Sequence, residues 1–329
     1  MTTSVKACQI CGGTLRPMPD TLPGYQAPRV FTVLDCDACH TMVAAPTRSD
    51  PSVYDAIYAL PGGPPGYDRN GQLARAVKLR PDPLSYLCSR SDAFWAVAEA
   101  LANGECRTVL EVGCGLGHFT YALRQAGYDA KGIDLSPDAV DAARARYGDF
   151  YEARSVESLV ASSQERFDAI VMVEIIEHLE QPVSVLREAM GLLNPGGQLV
   201  LTTPNRTFFG YNCRWTTDLP PVHLWWFSED SFEAIATTLG CTVALQDFSA
   251  YSRRFPHLIG YASPREPMLD QAGRVIRREH PLVHSARRLG VLHEAHWYVT
   301  AAIGRIGIRR PAGRRRGTLA AALTPRAAA

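Results

Sequence analysis

Three groups of residues in this chain have the types and spacing that chemistry requires. The first is four cysteines in two Cys-x-x-Cys pairs, Cys8 with Cys11 and Cys36 with Cys39, each on a turn followed by Gly12-Gly13 or by His40. Thiolates spaced this way suit a tetrahedral Zn2+ ribbon with all four as ligands. About 40 residues bury too little apolar surface to fold unaided, so the ion acts as a staple. Neither pair is surrounded by the βαβ pattern of a redox motif. His40 is either a substitute ligand for Cys39 or a solvated side chain. The remaining cysteines (Cys88, Cys106, Cys114, Cys213, Cys241) are isolated and read as small apolar residues.

The second group lies in TVLEVGCGLGHFTYALRQAGYDAKGID, Thr108 to Asp134. Val109, Leu110 and Val112 make a short apolar run typical of a buried strand. Gly113, Gly115 and Gly117 then form a tight turn, a helix follows, and a second strand ends on Asp134. A glycine turn at the carboxyl end of the first strand of a βαβ unit is where open α/β sheets bind ligands. Asp134 is placed to accept two hydrogen bonds from a ribose diol. The spacing is G-x-G-x-G, with His118 where a dinucleotide fingerprint has its last glycine. Glu111, two residues before the turn, would repel a pyrophosphate and suits a cationic ligand.

The third group closes the strand FDAIVMV: Glu174, Glu177 and His178 in EIIEHL, with His223 downstream in PPVHLWWFS. A histidine with a pKa near neutrality is suited to take a hydroxyl proton. The blander alternatives are that Glu177 and His178 cap the next helix or order the cleft, and that His223 holds a loop.

E-x-G-x-G-x-G with an acidic residue closing the next strand resembles motifs I and II of the class I S-adenosylmethionine-dependent methyltransferases. EIIEHL resembles the fourth-strand motif of the same superfamily, in the form found in ubiquinone-type and small-molecule or sugar methyltransferases. N-P-G-G at Asn194 to Gly197 matches its turn into the fifth strand. The resemblance covers roughly residues 92–248. It implies an α/β, Rossmann-like fold with a mostly parallel seven-stranded sheet and helices on both faces, preceded here by the small zinc ribbon. It implies S-adenosyl-L-methionine as cofactor: Glu111 and the turn Gly113, Cys114, Gly115 and Gly117 toward the methionine portion, Asp134 on the ribose, and Glu174 as a further cofactor contact. Leu135 and Val156 would sandwich the purine, and Ser155, Val156 and Glu157 form the adenine loop, where many relatives carry an Asp that this chain lacks. The catalytic candidates are His178, His223 and Glu177.

The elements that position these groups divide the chain into a ribbon (1–46), a Pro-, Gly- and Tyr-rich linker and cap (47–91), the cofactor-binding domain (92–250) and a basic extension (251–329). Tyr54, Tyr58 and Tyr67 either line a pocket or pack the linker. An aromatic loop, residues 204–227, leaves the fifth strand and suits an acceptor-pocket wall. In the extension, Trp297 to Ile303 is a candidate last strand of the sheet or an amphipathic helix, and Arg305 to Arg316 a solvated tail or a weak contact for an anionic membrane or phosphate-bearing substrate.

From Arg253 onward 15 Arg stand against four acidic residues, a balance of +11, so the remainder carries −10 of the net +1. That acidic body argues against an RNA methyltransferase and for a small-molecule acceptor, free or linked to a sugar, nucleotide or lipid. No run of 18 apolar residues and no amino-terminal hydrophobic signal are present, so the expected location is cytoplasmic. A non-catalytic cofactor-binding protein is the remaining rival, and the glycine spacing disfavours a nicotinamide-dependent dehydrogenase.

Overall fold

A computed structural model of the chain describes residues 7–25, 29–50, 52–53, 68–207, 213–215, 218–255, 268–270, 275–276 and 318–326. The first strands are β1 (Leu15–Pro23), β2 (Val30–Cys36) and β3 (Met42–Ala45). Helices α1 (Asp68–Ala76), α2 (Pro83–Cys88) and α3 (Asp92–Ala102) follow. Strands and helices then alternate: β4 (Thr108–Val112), α4 (His118–Gln125), β5 (Asp129–Asp134), α5 (Pro137–Tyr147), β6 (Tyr151–Ala153) and α6 (Val156–Ser162). The alternation continues through β7 (Phe167–Val173), α7 (Pro182–Met190) and β8 (Leu193–Pro204). Beyond it lie β9 (Cys213–Trp215), β10 (Trp225–Trp226), α8 (Glu229–Leu239), β11 (Cys241–Leu245) and α9 (Ser249–Arg254). The last strands are β12 (Met268–Asp270), β13 (Val275–Ile276) and β14 (Thr318–Pro325). Of these, β13, β12 and β9 form a small separate sheet.

The main sheet has the order β11-β14-β8-β7-β4-β5-β6. β4 to β8 run parallel, while β14 is antiparallel to both its neighbours. Side chains alternate between the two faces, as the period of two demands. Leu110, Ile170, Met172, Leu199 and Leu201 pack one way, beneath α6, α7 and α8. Val109, Ala169, Val171 and Val200 pack the other way, against α3, α4 and α5. Helix starts follow local chemistry. Ser136 caps α5 by accepting from the Ala139 amide at 3.2 Å, with Pro137 at the first position. Ser228 and Ser231 form a reciprocal capping box on α8, which Gly240 ends in the left-handed conformation.

The carboxyl end of the chain differs from expectation. The last strand is the Ala-rich TLAAALTP at 318–325, a segment the sequence suggests as the end of a solvated tail. Its small residues fit because bulky ones cover them: Ala320 packs with Trp95, Phe248 and Tyr251. Thr318 also donates to the buried Asp92 carboxylate at 2.8 Å. The segments 297–303 and 305–316, and Tyr54, Tyr58 and Tyr67, lie outside the described residues.

The ribbon is joined to the domain built on the seven-stranded sheet. Its sheet, β1-β2-β3, takes β10 as a fourth strand, with Trp225 opposite Val43 and Trp226 opposite Met42. Arg206 at the end of β8 donates to Asp35 at 3.0 Å, and Thr238 of α8 to the Ile10 carbonyl at 2.6 Å.

Because β14 fills the gap between β8 and β11, deleting residues 318–329 should expose both edges and remove the cooperative thermal transition. A truncated protein that melts like the full chain would show that the strand is dispensable.

Candidate functional site

The three sequence groups converge on two places: the carboxyl ends of β4, β5 and β7, and the tip of the ribbon. At the first, the Gly113 and Cys114 amides donate to the Ile133 carbonyl at 2.8 and 3.0 Å, folding the turn back over β5. Gly113 and Gly117 have φ of +75° and +76°, a region open to glycine at no steric cost. A Cβ on Gly117 would also meet Ala143 at 2.7 Å. Tyr151 donates its hydroxyl to the Gly117 carbonyl at 2.7 Å and fixes the end of the turn.

Asp134 organises the rim of this cradle. Its Oδ2 accepts from the Gly115 amide at 2.8 Å and its Oδ1 from the Ser136 amide at 2.9 Å. Each oxygen keeps a further lone pair for a diol. Next to it, Leu135 is 76% exposed, an apolar surface without protein cover. Glu111 is buried under the turn and accepts from the Thr120 hydroxyl. Burial pushes its carboxyl up from 4.5 to about 8, and the nearby Asp134 adds to the effect. Burial also raises Asp134, against three backbone amides that lower it. Both nitrogens of His118 are buried without a hydrogen-bond partner among the described residues, and burial lowers its pKa to about 4.

The adenine loop departs from expectation in two respects. Ser155 uses its hydroxyl to cap α6, accepting from the Ser158 amide at 3.1 Å, and Glu157 points to solvent. Val156 is the apolar first residue of that amphipathic helix and packs inward with Ile133 and Leu159. Of the expected purine pair, only Leu135 presents free surface.

At the end of β7 the chain takes a strained turn. Glu174 has φ of +55°, a left-handed conformation rare for a non-glycine residue and concentrated at functional sites. Its amide donates to the Thr202 carbonyl at 3.1 Å, while its buried Oε1 has no hydrogen-bond partner among the described residues. A short 3-10 turn, Ile176–His178, follows. Glu177 is 1% exposed, and its Oε2 accepts from the Thr203 hydroxyl at 2.9 Å. Burial raises Glu174 to about 8 and Glu177 well above its usual range, with Glu174 acting on Glu177 as a like charge.

His178 Nδ1 lies 2.7 Å from the Val222 carbonyl oxygen, and its ring meets that of His223 edge-on at 4.7 Å. His223 Nδ1 is 3.6 Å from Asp218 Oδ1. The expectation of a near-neutral histidine does not hold. Burial lowers His178 to about 4 and His223 well below its usual value. Both imidazoles are therefore neutral at pH 7 and are weak bases.

At the ribbon tip, Cys8 and Cys39 have sulfurs 3.8 Å apart, and Cys11 and Cys36 3.5 Å apart. All four sulfurs lie within 4.8 Å of one another. Tetrahedral zinc with ~2.3 Å bonds requires about 3.8 Å between sulfurs. The Ile10 and Gly13 amides point at Cys8 and Cys11 sulfurs, each at 3.4 Å, as outer-shell donors to thiolates do. A Cβ on Gly13 would lie 2.8 Å from Ala38 and 3.0 Å from the Cys36 sulfur, so the knuckle closes only around glycine. His40 adopts φ of +53° and is exposed, so it serves the turn and the solvated reading holds.

Sequence reasoning missed three participants. Arg69 on α1 exerts its charge on both His118 and Glu174, lowering each. Asp218 flanks His223. Leu224 joins the ribbon to the cleft: it donates its amide to the Glu177 carbonyl at 2.8 Å and accepts from the Ala44 amide at 2.8 Å. The last is a backbone contact between distant segments, for which a side-chain pattern carries no signal. Of the aromatic loop, Trp225, Trp226 and Phe227 are buried packing residues, and Phe208, Phe209 and Tyr211 lie outside the described residues.

Residues 84–246 match the family model described as "Methyltransferase domain". With the strand order above and the Glu111–glycine turn–Asp134 cradle, this settles the family. Residues 84–246 form a class I S-adenosylmethionine-dependent methyltransferase domain. Curated relatives include ubiquinone biosynthesis O-methyltransferases of Xanthomonas campestris pv. campestris (strain B100), 39% identical, and Xanthomonas oryzae pv. oryzae (strain PXO99A), 34% identical, each over 146 residues and 43% of this chain. The chain spans 56% of the length of these relatives. Similar solved structures include a SAM-dependent methyltransferase from Archaeoglobus fulgidus, with a TM-score of 0.41 and 16% identity, covering 69% of this chain and 92% of that one. Another is the plantazolicin methyltransferase BamL, with a TM-score of 0.44 and 13% identity, covering 79% and 88%.

The methyltransferase domain keeps Glu111 buried at a cost that is legible in pH. Its pKa is higher folded than unfolded, so the folded state binds more protons between pH 4.5 and about 8, and stability falls as pH rises through that window. Glu111→Gln keeps the acceptor for Thr120 and removes the charge. Urea denaturation should show the variant gaining on the wild type from pH 5 to pH 8. Parallel stability profiles would contradict the assignment.

Proposed function

We propose that this chain is an O-methyltransferase that transfers the methyl group of S-adenosyl-L-methionine to a hydroxyl of a small molecule, such as a sugar or another secondary-metabolite acceptor. The observation that carries the reading is the arrangement of a cation-suited cradle, Glu111 and Asp134 around the glycine turn, beside the Glu177–His178–His223 cluster at the end of the neighbouring parallel strand. The cradle fits the cofactor on its own terms. A buried carboxyl held by Thr120 suits the ammonium of the methionine portion, Asp134 has lone pairs for the ribose, and exposed Leu135 offers one face to the purine. Oxygen is favoured as the acceptor atom because the curated relatives are named O-methyltransferases. The acidic body opposes the rival reading of an RNA substrate.

When bound, the cofactor supplies an activated methyl group on sulfur. The chain's part is chiefly positioning, which brings two reactants to near-attack distance and is worth up to ~7–11 kcal/mol. The turn backbone and Glu111 fix the methionine end. Thr203 holds Glu177, the Val222 carbonyl holds His178, and Asp218 flanks His223, so the acceptor side is preorganised. As the methyl arrives, the acceptor hydroxyl gives up its proton toward the neutral His178 or His223.

We also propose that Cys8, Cys11, Cys36 and Cys39 hold a structural zinc ion. Its effect would reach the cleft through β3, β10 and Leu224, which place His223.

Calorimetry with S-adenosylhomocysteine should show binding that Asp134→Ala weakens at least tenfold. An unchanged dissociation constant would reject the ribose assignment. A radiolabelled-methyl screen of hydroxylated acceptors would identify the substrate; labelling of RNA alone would overturn the small-molecule reading. For the ribbon, the purified protein should contain zinc, and Cys36→Ser should lose it together with thermal stability. Protein free of zinc with four titratable ribbon thiols would reject this proposal.

A further inference from the structure

Charge is unevenly spread over the domain. Residues 91–250 hold 22 acidic against ten basic side chains, whereas residues 69–90 hold five basic against one acidic. The reversal centres on the end of α1, which passes into a short 3-10 turn, Val77–Leu79. Val77 and Leu73 are buried beneath it and pin the turn to the domain. On its outer side Leu79 is 82% exposed, more than any other large apolar side chain among the described residues. Arg75, Lys78 and Arg80 around it are exposed as well. The Lys78 ammonium donates to the Arg146 carbonyl at 2.7 Å, at the end of α5. The Arg80 and Arg90 guanidiniums lie 4.7 and 5.2 Å from the centre of the Tyr86 ring on α2, and Arg254 lies 5.4 Å from that of Phe255. A ring attracts a guanidinium but carries no net charge, so such stacks leave the positive charge standing. The acidic groups nearby are already engaged. Asp82 caps α2 by accepting from the Ser85 amide at 2.9 Å, and Asp141 and Asp149 pair with Arg144. Arg254 also reaches this side, since it adds to the Ser85 hydrogen bonds that hold the Asp82 carboxyl below its usual range.

We propose that this surface, with Leu79 at its apex and Arg75, Lys78, Arg80 and Arg254 around it, docks the protein on an anionic lipid bilayer. An interfacial contact needs an apolar group that enters the headgroup–acyl boundary and cations on long stems that reach the phosphates. Leu79 between Lys78 and Arg80 supplies both, on a turn held in place from below. The acidic remainder of the domain is repelled by the same bilayer, so the charge distribution also sets the orientation. A nucleic acid fits less well. The exposed apolar group is aliphatic and offers no ring for a base, and the Tyr86 ring already carries two guanidiniums. Arg69, which acts on Glu174 at the cleft, lies ten residues before Leu79. At 1.5 Å per residue the apex is about 15 Å away along the helix, so docking leaves the cleft uncovered. The surface is also separate from residues 305–316, which lie outside the described residues. Lipid docking does not depend on the reaction assigned to the cleft.

The test is co-sedimentation of the full-length protein with vesicles of phosphatidylcholine, and with the same vesicles enriched in phosphatidylglycerol, at low and high salt. The expected result is binding to the anionic vesicles alone, weakened by salt. Each basic residue beside such a surface is worth about fivefold in affinity, so Lys78→Gln combined with Arg80→Gln should weaken binding by more than about tenfold. Lys78→Arg combined with Arg80→Lys should bind like the wild type. Leu79→Ser should weaken binding by about tenfold at either salt concentration, because that loss is apolar. All these positions are exposed, and an unchanged thermal transition certifies that each variant is folded. Binding to neither kind of vesicle, equal binding to both, or undiminished binding by Leu79→Ser and by the glutamine pair would overturn the proposal. Wild-type protein that ignores the vesicles but retains RNA through Lys78 and Arg80 would overturn it in favour of a nucleic-acid site. Failure to bind S-adenosylhomocysteine would count against the methyltransferase reading and leave the vesicle result standing.

Discussion

Carboxyl groups gathered in poorly solvated surroundings at the carboxyl ends of β4, β5 and β7 are the constraint on which the architecture turns. Glu111 and Glu177 are buried, Asp134 and Glu174 are half-buried, and burial raises all four. A buried carboxylate without a cation is costly and resolves by taking up a proton or a positive ligand. Among the described residues, the ion-pair neighbour of Glu177 is a neutral histidine, and Glu111 has a hydroxyl. The fold tolerates this because the rest of the sheet is apolar on both faces, with Leu110, Ile170 and Leu199 on one side and Val109, Val171 and Val200 on the other. A cationic cofactor beside Glu111 would answer that electrostatic demand.

The ribbon belongs to this account as a brace. Its third strand continues through β10 into the loop that carries His223, and a single residue, Leu224, hydrogen-bonds both the ribbon and the Glu177 turn. A metal ion held by the four cysteines would let so small a module stiffen a long loop at little cost in buried surface. Arg206 to Asp35 and Thr238 to Ile10 fix the same interface from the other elements.

The cofactor half of the site was legible in the sequence because its parts are neighbours along the chain. Glycines with positive φ, an acidic residue before them and another closing the next strand leave a pattern that spacing reveals. Ser136 before α5 and Gly240 after α8 are limits of a kind a sequence shows, because caps are local. What the sequence hid depends on tertiary context. β14 reads as an Ala-rich tail because alanine has low strand propensity, and only the aromatic cover from Trp95, Phe248 and Tyr251 makes small residues right for that position. β10 is two residues long and shows no period. The basicity of His178 and His223 follows from burial by segments far away in sequence, so residue type alone gave the wrong value. Val156 fell inward because the helix it begins has its own apolar face to bury.

The cradle made by the glycine turn, Asp134 and Leu135 is proposed to hold a sulfonium nucleoside. The most direct measurement is a crystal structure of the full chain soaked with S-adenosylhomocysteine. The account predicts density there, with both ribose hydroxyls on Asp134 and the amino group directed toward Glu111. An empty hollow at saturating ligand, or one that instead takes up a pyrophosphate-bearing dinucleotide, would contradict it.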